Sequence, residues 1–286
     1  MSRRNPDWLK VKIPGGKDFI KMKKLLRSAN LHTICEEAKC PNISECFNSG
    51  TAVFLILGDT CTRNCRYCNV KHGEPLDLDQ GEPKEVALSV KKLGLSYVVV
   101  TSVTRDDLED GGAKVFYETA LEIKKINPNC IVEMLIPDFK GKIDSLKKVI
   151  ASKPDVINHN IEVVKELFSD IRPQGNYDKS INVLKNIKKL DKKIKSKSGF
   201  MVGIGENEDQ IIKTIKDLRN ASVDFLTIGQ YLQPSKKHAE IKKYYSPQEF
   251  EEFKKTAIDF GFEHVESGPL VRSSYHAKDA YFQKKL

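Results

Sequence analysis

AVFLILGDTCTRNCRYC, residues 52–68, joins an unbroken apolar run to three closely spaced cysteines. The run 52–57 reads as a buried strand. The cysteines follow immediately, in the loop that leaves its C-terminal end. Downstream, helical and strand patterns alternate. Residues 82–93 carry helical periodicity, 97–103 form a β-branched strand, and 113–126 are a helix stopped by Asn127-Pro128-Asn129. Strand 131–136, helix 143–151, strand 156–161, amphipathic helix 180–194, strand 199–204, helix 208–220 and strand 225–231 follow. Ser246 and Pro247 open a last helix reaching about residue 260, with serine as N-cap and proline in the first turn.

These are six βα units in succession, which predicts an α/β fold with a parallel sheet and helical crossovers. No glycine-rich phosphate fingerprint favours an open nucleotide-binding sheet. The expectation is a partial or full β/α barrel of the TIM type over residues 51–265. An N-terminal extension, 1–50, would carry the first cysteines and a short helix over 18–29. A C-terminal tail, 266–286, would carry the stretch RSSYHA. Barrel chemistry gathers in the loops after strand C-termini. Cys61–Cys68, 104–112, Pro137-Asp138, 158–160, Gly205-Glu206 and 230–233 all fall in such places.

The chain has 286 residues, with 40% hydrophobic and 30% charged, a soluble globular composition. Its longest apolar run is far short of the roughly 20 residues of a membrane span. No apolar signal-peptide core follows the basic start. Pro6, Asp7, Trp8 and Pro14-Gly15-Gly16 interrupt any long targeting helix. The expected compartment is cytoplasmic, with no membrane partner. Net charge is +9, and residues 1–30 hold nine Lys or Arg against two Asp. The lysine-rich run 185–197 has apolar residues at helical spacing, so its lysines read as a solvated helix face. No nucleic-acid motif accompanies the charge, and no nucleic-acid partner is expected.

Six of the seven cysteines fall between Cys35 and Cys68, and in a large intracellular chain such a cluster suggests metal chemistry. Cys61, Cys65 and Cys68 have C-x3-C-x2-C spacing. Three thiolates on one loop can hold three corners of a four-iron cluster and leave one iron for a ligand. A zinc ribbon would pair one CxxC with a second at a distance, and no second CxxC exists.

With Tyr67 before its last cysteine, this loop resembles the signature of the radical S-adenosylmethionine enzymes. The resemblance implies that the open iron chelates S-adenosylmethionine and that one electron cleaves it to a 5′-deoxyadenosyl radical. Upstream, Cys35, Cys40 and Cys46 have C-x4-C-x5-C spacing. With that second group the chain resembles the lipoyl synthase family. CEEAKCPNISECF, GDTCTRNCRYCNV, YVVVTSVTRDDLEDGGA, PDVINHNIE, KSGFMVGIGE, LTIGQYLQPSKKH and SGPLVRSSYHA occur in the family's order.

The resemblance implies two 4Fe-4S clusters and S-adenosylmethionine as cofactors. It implies sulfur insertion at C6 and C8 of an octanoyl group linked to a carrier lysine, with sulfur from the auxiliary cluster. The carriers would be lipoyl domains of 2-oxoacid dehydrogenases and the glycine-cleavage H protein. A reductant such as ferredoxin or flavodoxin, and an iron–sulfur carrier for cluster repair, would be further partners. In the family a serine of the RSSYHA stretch completes the auxiliary cluster. Ser274 is assigned that place, with Ser273 as the alternative and Arg272 as a neighbouring site residue. Gly203, Gly205 and Glu206 resemble the glycine segment that contacts S-adenosylmethionine. Thr101 and Asn160 are cofactor candidates by position, while His159 fits a core histidine equally well. Cys130 reads as a small buried hydrophobe. The basic arm, through Arg3, Arg4, Lys10, Lys12 and Lys17, is expected to steer an acidic carrier. The rival readings are a biotin-synthase-like sulfur inserter, a two-cluster electron-transfer protein, and a zinc-stabilised RNA-binding protein.

Overall fold

A computed structural model describes residues 6–11, 14–28, 31–48 and 53–282. The strands are β1 (His32–Thr33), β2 (Val53–Ile56), β3 (Thr60–Cys61), β4 (Lys71–His72), β5 (Tyr97–Ser102), β6 (Ile131–Leu135), β7 (Val156–Asn158), β8 (Lys195–Val202), β9 (Phe225–Gln230) and β10 (His264–Gly268). Eight of them form one sheet in the order β1-β2-β5-β6-β7-β8-β9-β10, and β3 and β4 form a small separate ladder. From β2 to β10 every neighbour is parallel, while β1 runs antiparallel to β2. β1 and β10 lie at opposite ends and do not pair, so the barrel is partial.

Six helices complete the βα units: Glu82–Leu93, Ala113–Ile126, Ile143–Ala151, Tyr177–Leu190, Glu208–Asn220 and Pro247–Asp259. Their ends have local causes. Gly94 ends the first at φ 63°, a left-handed turn that glycine takes without strain. Asn207 and Ser246 each start a helix with a capping box, closed by Gln210 and Glu249. Tyr177–Leu190 starts earlier than expected because Asn176 caps it, accepting from Lys179 N–H at 2.9 Å. The sheet supplies the core. Val98, Val100, Val132, Met134, Leu226 and Ile228 are fully buried, each worth roughly 1.5–3 kcal/mol of transfer free energy.

The short strands β1, β3 and β4 were not expected, and three others also differ from expectation. β8 starts at Lys195 rather than at 199, because polar Ser196, Lys197 and Ser198 are buried within the sheet layer. Lys197 meets the Glu133 carboxylate at 3.1 and 3.2 Å. β7 stops at Asn158 rather than at 161. β10 was not expected at all, because HVESG carries no apolar run. Residue 52, at the start of the first predicted strand, lies outside the described residues, as do Arg3, Arg4 and Lys12 of the arm.

The first and last described α-helices beyond the βα units pack onto this frame. Helix Lys17–Ser28 meets helix Ile43–Asn48 through Phe19 and Phe47, whose ring centres are 5.5 Å apart. The last helix, Ala277–Phe282, sets Tyr281 edge-on to Tyr97 of β5 at 6.1 Å. No helix among the described residues is long and apolar enough to cross a membrane.

Candidate active site

The strands' C-terminal ends open into a cavity of about 530 Å³. Cys61, Cys65 and Cys68 line it from one loop, and Cys35 and Cys40 from the N-terminal segment. Arg272, Ser273 and Ser274 of the tail line it too, with Tyr67, Thr101 and Asn160. Cys46 does not reach the cavity lining, although its thiol lies close enough to Cys40 to feel its charge.

The loop after β2 is held by its own backbone and by one arginine. Cys61 Sγ accepts N–H bonds from Arg63 at 3.4 Å and Thr104 at 3.3 Å. Such donors stabilise negative charge on sulfur. Thr62 bonds the Thr104 carbonyl through N–H and hydroxyl, both at 2.9 Å. Arg63, 5% exposed, reaches Asp106 after β5 and Asp138 after β6. Burial would raise the Asp138 carboxyl. The bonds and charge of Arg63 outweigh it and hold Asp138 well below the usual range. His238 closes the other side, donating from Nε2 to the Cys68 carbonyl at 3.0 Å.

The second cysteine group is tied to both the first loop and the tail. Asn69 Nδ2 donates to the Glu37 carbonyl at 2.9 Å, next to the radical-type loop. Asn42, 4% exposed, donates to the Leu270 carbonyl at 2.7 Å. The Tyr275 hydroxyl donates to Glu45 at 3.1 Å. The tail can come this close because residue 229 is glycine, whose added Cβ would meet the Val271 carbonyl oxygen at 2.2 Å. Burial pushes Arg272 below its ordinary value, with the charge of Cys40 opposing.

The cavity floor is polar. Tyr67 and Asn160 hydrogen-bond the Glu162 carboxylate, which burial raises and Arg172 partly lowers. Arg172 Nη1 also donates to the Asn160 carbonyl at 3.2 Å. Glu162 sits at φ 71°, in the left-handed region that costs a side-chain residue about 1 kcal/mol or more. Its N–H bonds the Gly199 carbonyl at 3.0 Å, which fixes that conformation. His159, 1% exposed, donates from Nδ1 to the Ile136 carbonyl at 2.9 Å. Its Nε2 is buried without a protein partner. Burial first, then Arg172, lowers its pKa to about 4, so the ring is neutral at pH 7.

The structure thus gathers every cysteine of the two groups, Tyr67, Thr101, Asn160, Arg272, Ser273 and Ser274 at or beside one cavity. Thr101 presents no free proton there, because its hydroxyl bonds the Leu135 carbonyl at 3.0 Å. Gly203, Gly205 and Glu206 do not line the cavity. The Glu206 carboxylate folds back on the amides of Gly203, Ile204 and Gly205 at 2.5, 3.0 and 3.2 Å. Those amides are consumed within the turn by Glu206. Cys130 is buried away from both groups, as expected. Sequence reasoning missed Arg63, Glu162 and Arg172. Arg63 was visible as the charged residue between two cysteines of the motif; the other two carried no spacing signal.

The donor set fits iron–sulfur clusters. Each group offers three thiols, the soft donors such clusters take. Burial pushes Cys35, Cys46 and Cys68 up to about 12, so these thiols keep their protons until a metal displaces them. No three His, Cys, Asp or Glu side chains among the described residues converge closely enough for a single ion. Thiols spread around a wider space suit a four-iron cube, which takes one ligand at each corner. Cys61, Cys65 and Cys68 would hold one cluster. Cys35, Cys40 and Cys46 would hold the other.

Residues 55–218 match the radical SAM superfamily, and residues 1–40 match the N-terminal domain of lipoyl synthase. The lipoyl synthase of Rubrobacter xylanophilus is 53% identical over 274 residues, 96% of this chain and 85% of the relative. That of Caldicellulosiruptor saccharolyticus is 52% identical over 279 residues, 98% of each chain. Among solved structures, Streptococcus suis SuiB bound to S-adenosylmethionine aligns with TM-score 0.59 at 13% identity, over 88% of this chain and 61% of that one. Methylornithine synthase aligns with TM-score 0.56 at 12% identity, over 88% and 79%. These two likenesses speak for the fold. Identity near one half over almost the whole length, on a frame that brings two three-cysteine groups to one cavity, settles the family: the chain belongs to the lipoyl synthases of the radical SAM superfamily.

Proposed function

We propose that the chain inserts two sulfur atoms, at C6 and C8, into an octanoyl group amide-linked to a lysine of a carrier protein. The carriers are lipoyl domains of 2-oxoacid dehydrogenases or the glycine-cleavage H protein. The observation that carries this reading is the single cavity shared by both cysteine groups, in a chain of this family. An alkyl chain lying there would reach both sites at once.

A four-iron cluster on Cys61, Cys65 and Cys68, with S-adenosylmethionine, supplies the one-electron chemistry that removes hydrogen from saturated carbon. A second cluster on Cys35, Cys40, Cys46 and Ser274, with Ser273 as alternative, supplies the sulfur. The chain's own residues do the placing. Arg63 fixes the first loop against two neighbouring loops, and Asn42 and Tyr275 hold the tail beside the second group. Val53, Leu55, Leu135 and Met201 give the cavity apolar wall for an acyl chain. Arg272 brings positive charge to Cys40, favouring its thiolate. A hydroxyl ligand is weak for iron, which suits a cluster that must later open. A low-potential donor of the ferredoxin or flavodoxin class would supply electrons, and an iron–sulfur carrier would rebuild the consumed cluster.

The test is anaerobic reaction of the reconstituted protein with an octanoyl-lysine peptide, S-adenosylmethionine and a chemical reductant. The expected product gains two sulfur atoms by mass. Cofactor cleavage without any sulfur gain would overturn the reading.

A further inference from the structure

We propose that the mouth of the cavity carries a positively charged docking rim, Lys236 and Lys237 with Lys39, that receives an acidic face of the carrier protein around its acyl-lysine. The proposal rests on the carrier-borne substrate read above.

The rim is built, not merely exposed. Residues 233–238 form a tight turn beside the cavity. Gln233 Nε2 donates to the His238 carbonyl at 3.0 Å, and the His238 N–H bonds the Ser235 carbonyl at 3.0 Å. His238 uses both ring nitrogens. Nδ1 accepts from the Ser235 hydroxyl at 2.9 Å, while Nε2 donates to the Cys68 carbonyl. The turn is therefore pinned to the backbone of a cluster cysteine. Its tip displays Lys236 and Lys237 to solvent. Lys39 stands on the rim of the same cavity, one residue before Cys40, and is also exposed. It holds φ 51°, just past a helical turn, where glycine would relieve the strain. A lysine there puts a long cation at the mouth despite that strain.

Charge balance at the mouth favours one sign. Among the described residues, no ion pair involves Lys39, Lys236 or Lys237. The acids nearby are engaged. Asp170 pairs with Arg66, Asp106 and Asp138 with Arg63, and Glu36 with Lys23. Glu162 lies against Arg172, while Glu45 accepts from the neutral Tyr275 hydroxyl and keeps its charge. Among the described residues, three exposed lysines without a carboxylate partner thus stand at this mouth, and a face that would pair with them is acidic. Rim charges chiefly change encounter rate and salt dependence.

The test uses the reconstituted holoenzyme and its Lys236→Glu/Lys237→Glu variant, two positions that line no part of the cavity. Binding is titrated with an octanoylated lipoyl domain of net negative charge. Turnover is followed on a short neutral octanoyl-lysine peptide. The variant should bind the carrier roughly tenfold more weakly at low salt, with the gap closing near about 0.5 M salt. Its peptide turnover should match the parent protein. Lys39→Glu should lower carrier turnover more than peptide turnover. Unchanged carrier binding, or equal losses on carrier and peptide, would overturn the proposal. So would loss of binding to a transfer RNA probe with carrier binding intact, which would assign the patch to nucleic acid. If the parent protein converts neither substrate, the sulfur-insertion reading falls, while the binding titration still decides the rim.

Discussion

Arg63 and Asp138 face each other fork to fork, with Nη1 to Oδ2 and Nη2 to Oδ1 both at 2.7 Å and side chains only 4% and 3% exposed. The same guanidinium holds Asp106 through Nε at 2.7 Å. One residue of the cysteine loop thus joins the loops after β2, β5 and β6. Arg63→Ala leaves Asp138 buried without its cation, and should cost about 3–5 kcal/mol of stability. Denaturant midpoints check this. Iron bound at the first cysteine group should fall in the same variant, whereas Arg66→Ala, at an exposed pair with Asp170, should leave both unchanged.

The cysteine groups should separate by function. Replacing Cys61, Cys65 and Cys68 with alanine should abolish S-adenosylmethionine cleavage. Replacing Cys35, Cys40 and Cys46 should spare cleavage and stop sulfur insertion. Each triple variant should hold about four irons against about eight in the parent protein. Cys130→Ala should lose none, and a lost cluster there would undo the division of roles.

Ser273 and Ser274 both line the cavity, so the ligand is decided by substitution. Ser274→Ala should alter the spectrum of the second cluster and depress product formation, with cofactor cleavage intact. If Ser273→Ala does this instead, the assignment moves by one residue.

His159 makes stability depend on pH. Its pKa drops from 6.5 to about 4 on folding, because burial disfavours the cation. The folded value lies below the unfolded one, so this stabilisation is full above about 6.5 and drains away as pH falls toward 4. The loss amounts to roughly 3 kcal/mol by pH 4. Urea midpoints of cluster-free protein should fall across that window, and His159→Gln should flatten the slope. Asp138 has the same sign but a lower window, losing its contribution only below about pH 4.

Lys197 and Glu133 form a buried pair inside the sheet layer, 3% and 0% exposed. Tyr97 and Asn158 also donate to that carboxylate, at 2.5 and 2.9 Å. Lys197→Met strands the charge and should cost about 3–5 kcal/mol. Lys197→Met/Glu133→Gln should recover most of the loss, since the charge goes with its partner. No recovery in thermal unfolding would mean that packing, not charge, carries the pair.

Helix bounds at Glu82–Leu93, Ala113–Ile126, Ile143–Ala151 and Glu208–Asn220 were legible because stop residues and caps act locally. β8 was cut short in the reading because a buried lysine looks like a loop until Glu133, from another strand, is placed beside it. β10 gave no signal. Its partner β9 supplies the pairing register that HVESG does not announce. The cysteines were legible because ligand spacing is a sequence property. The role of Glu206 within its turn was not legible, because only the folded backbone brings its carboxylate onto the amides of Gly203, Ile204 and Gly205. Glu162 and Arg172 depend on each other across a gap in sequence, and neither has a pattern of its own.

The bond from Asn42 to the Leu270 carbonyl spans 228 positions in the chain. A ribosome adding roughly 5–20 residues per second needs about 10–45 s to cover that distance. The group of Cys35, Cys40 and Cys46 therefore emerges long before the tail that braces it exists. The loop of Cys61, Cys65 and Cys68 meets its Arg63 anchors, Asp106 and Asp138, much sooner, and its His238 contact comes late. Synthesis imposes an order of maturation: the loop of Cys61, Cys65 and Cys68 is framed early by Arg63, and the surroundings of Cys35, Cys40 and Cys46 close only once the tail has been made. A product truncated before Leu270 would lack that bracing, so premature termination leaves the surroundings of Cys35, Cys40 and Cys46 unassembled.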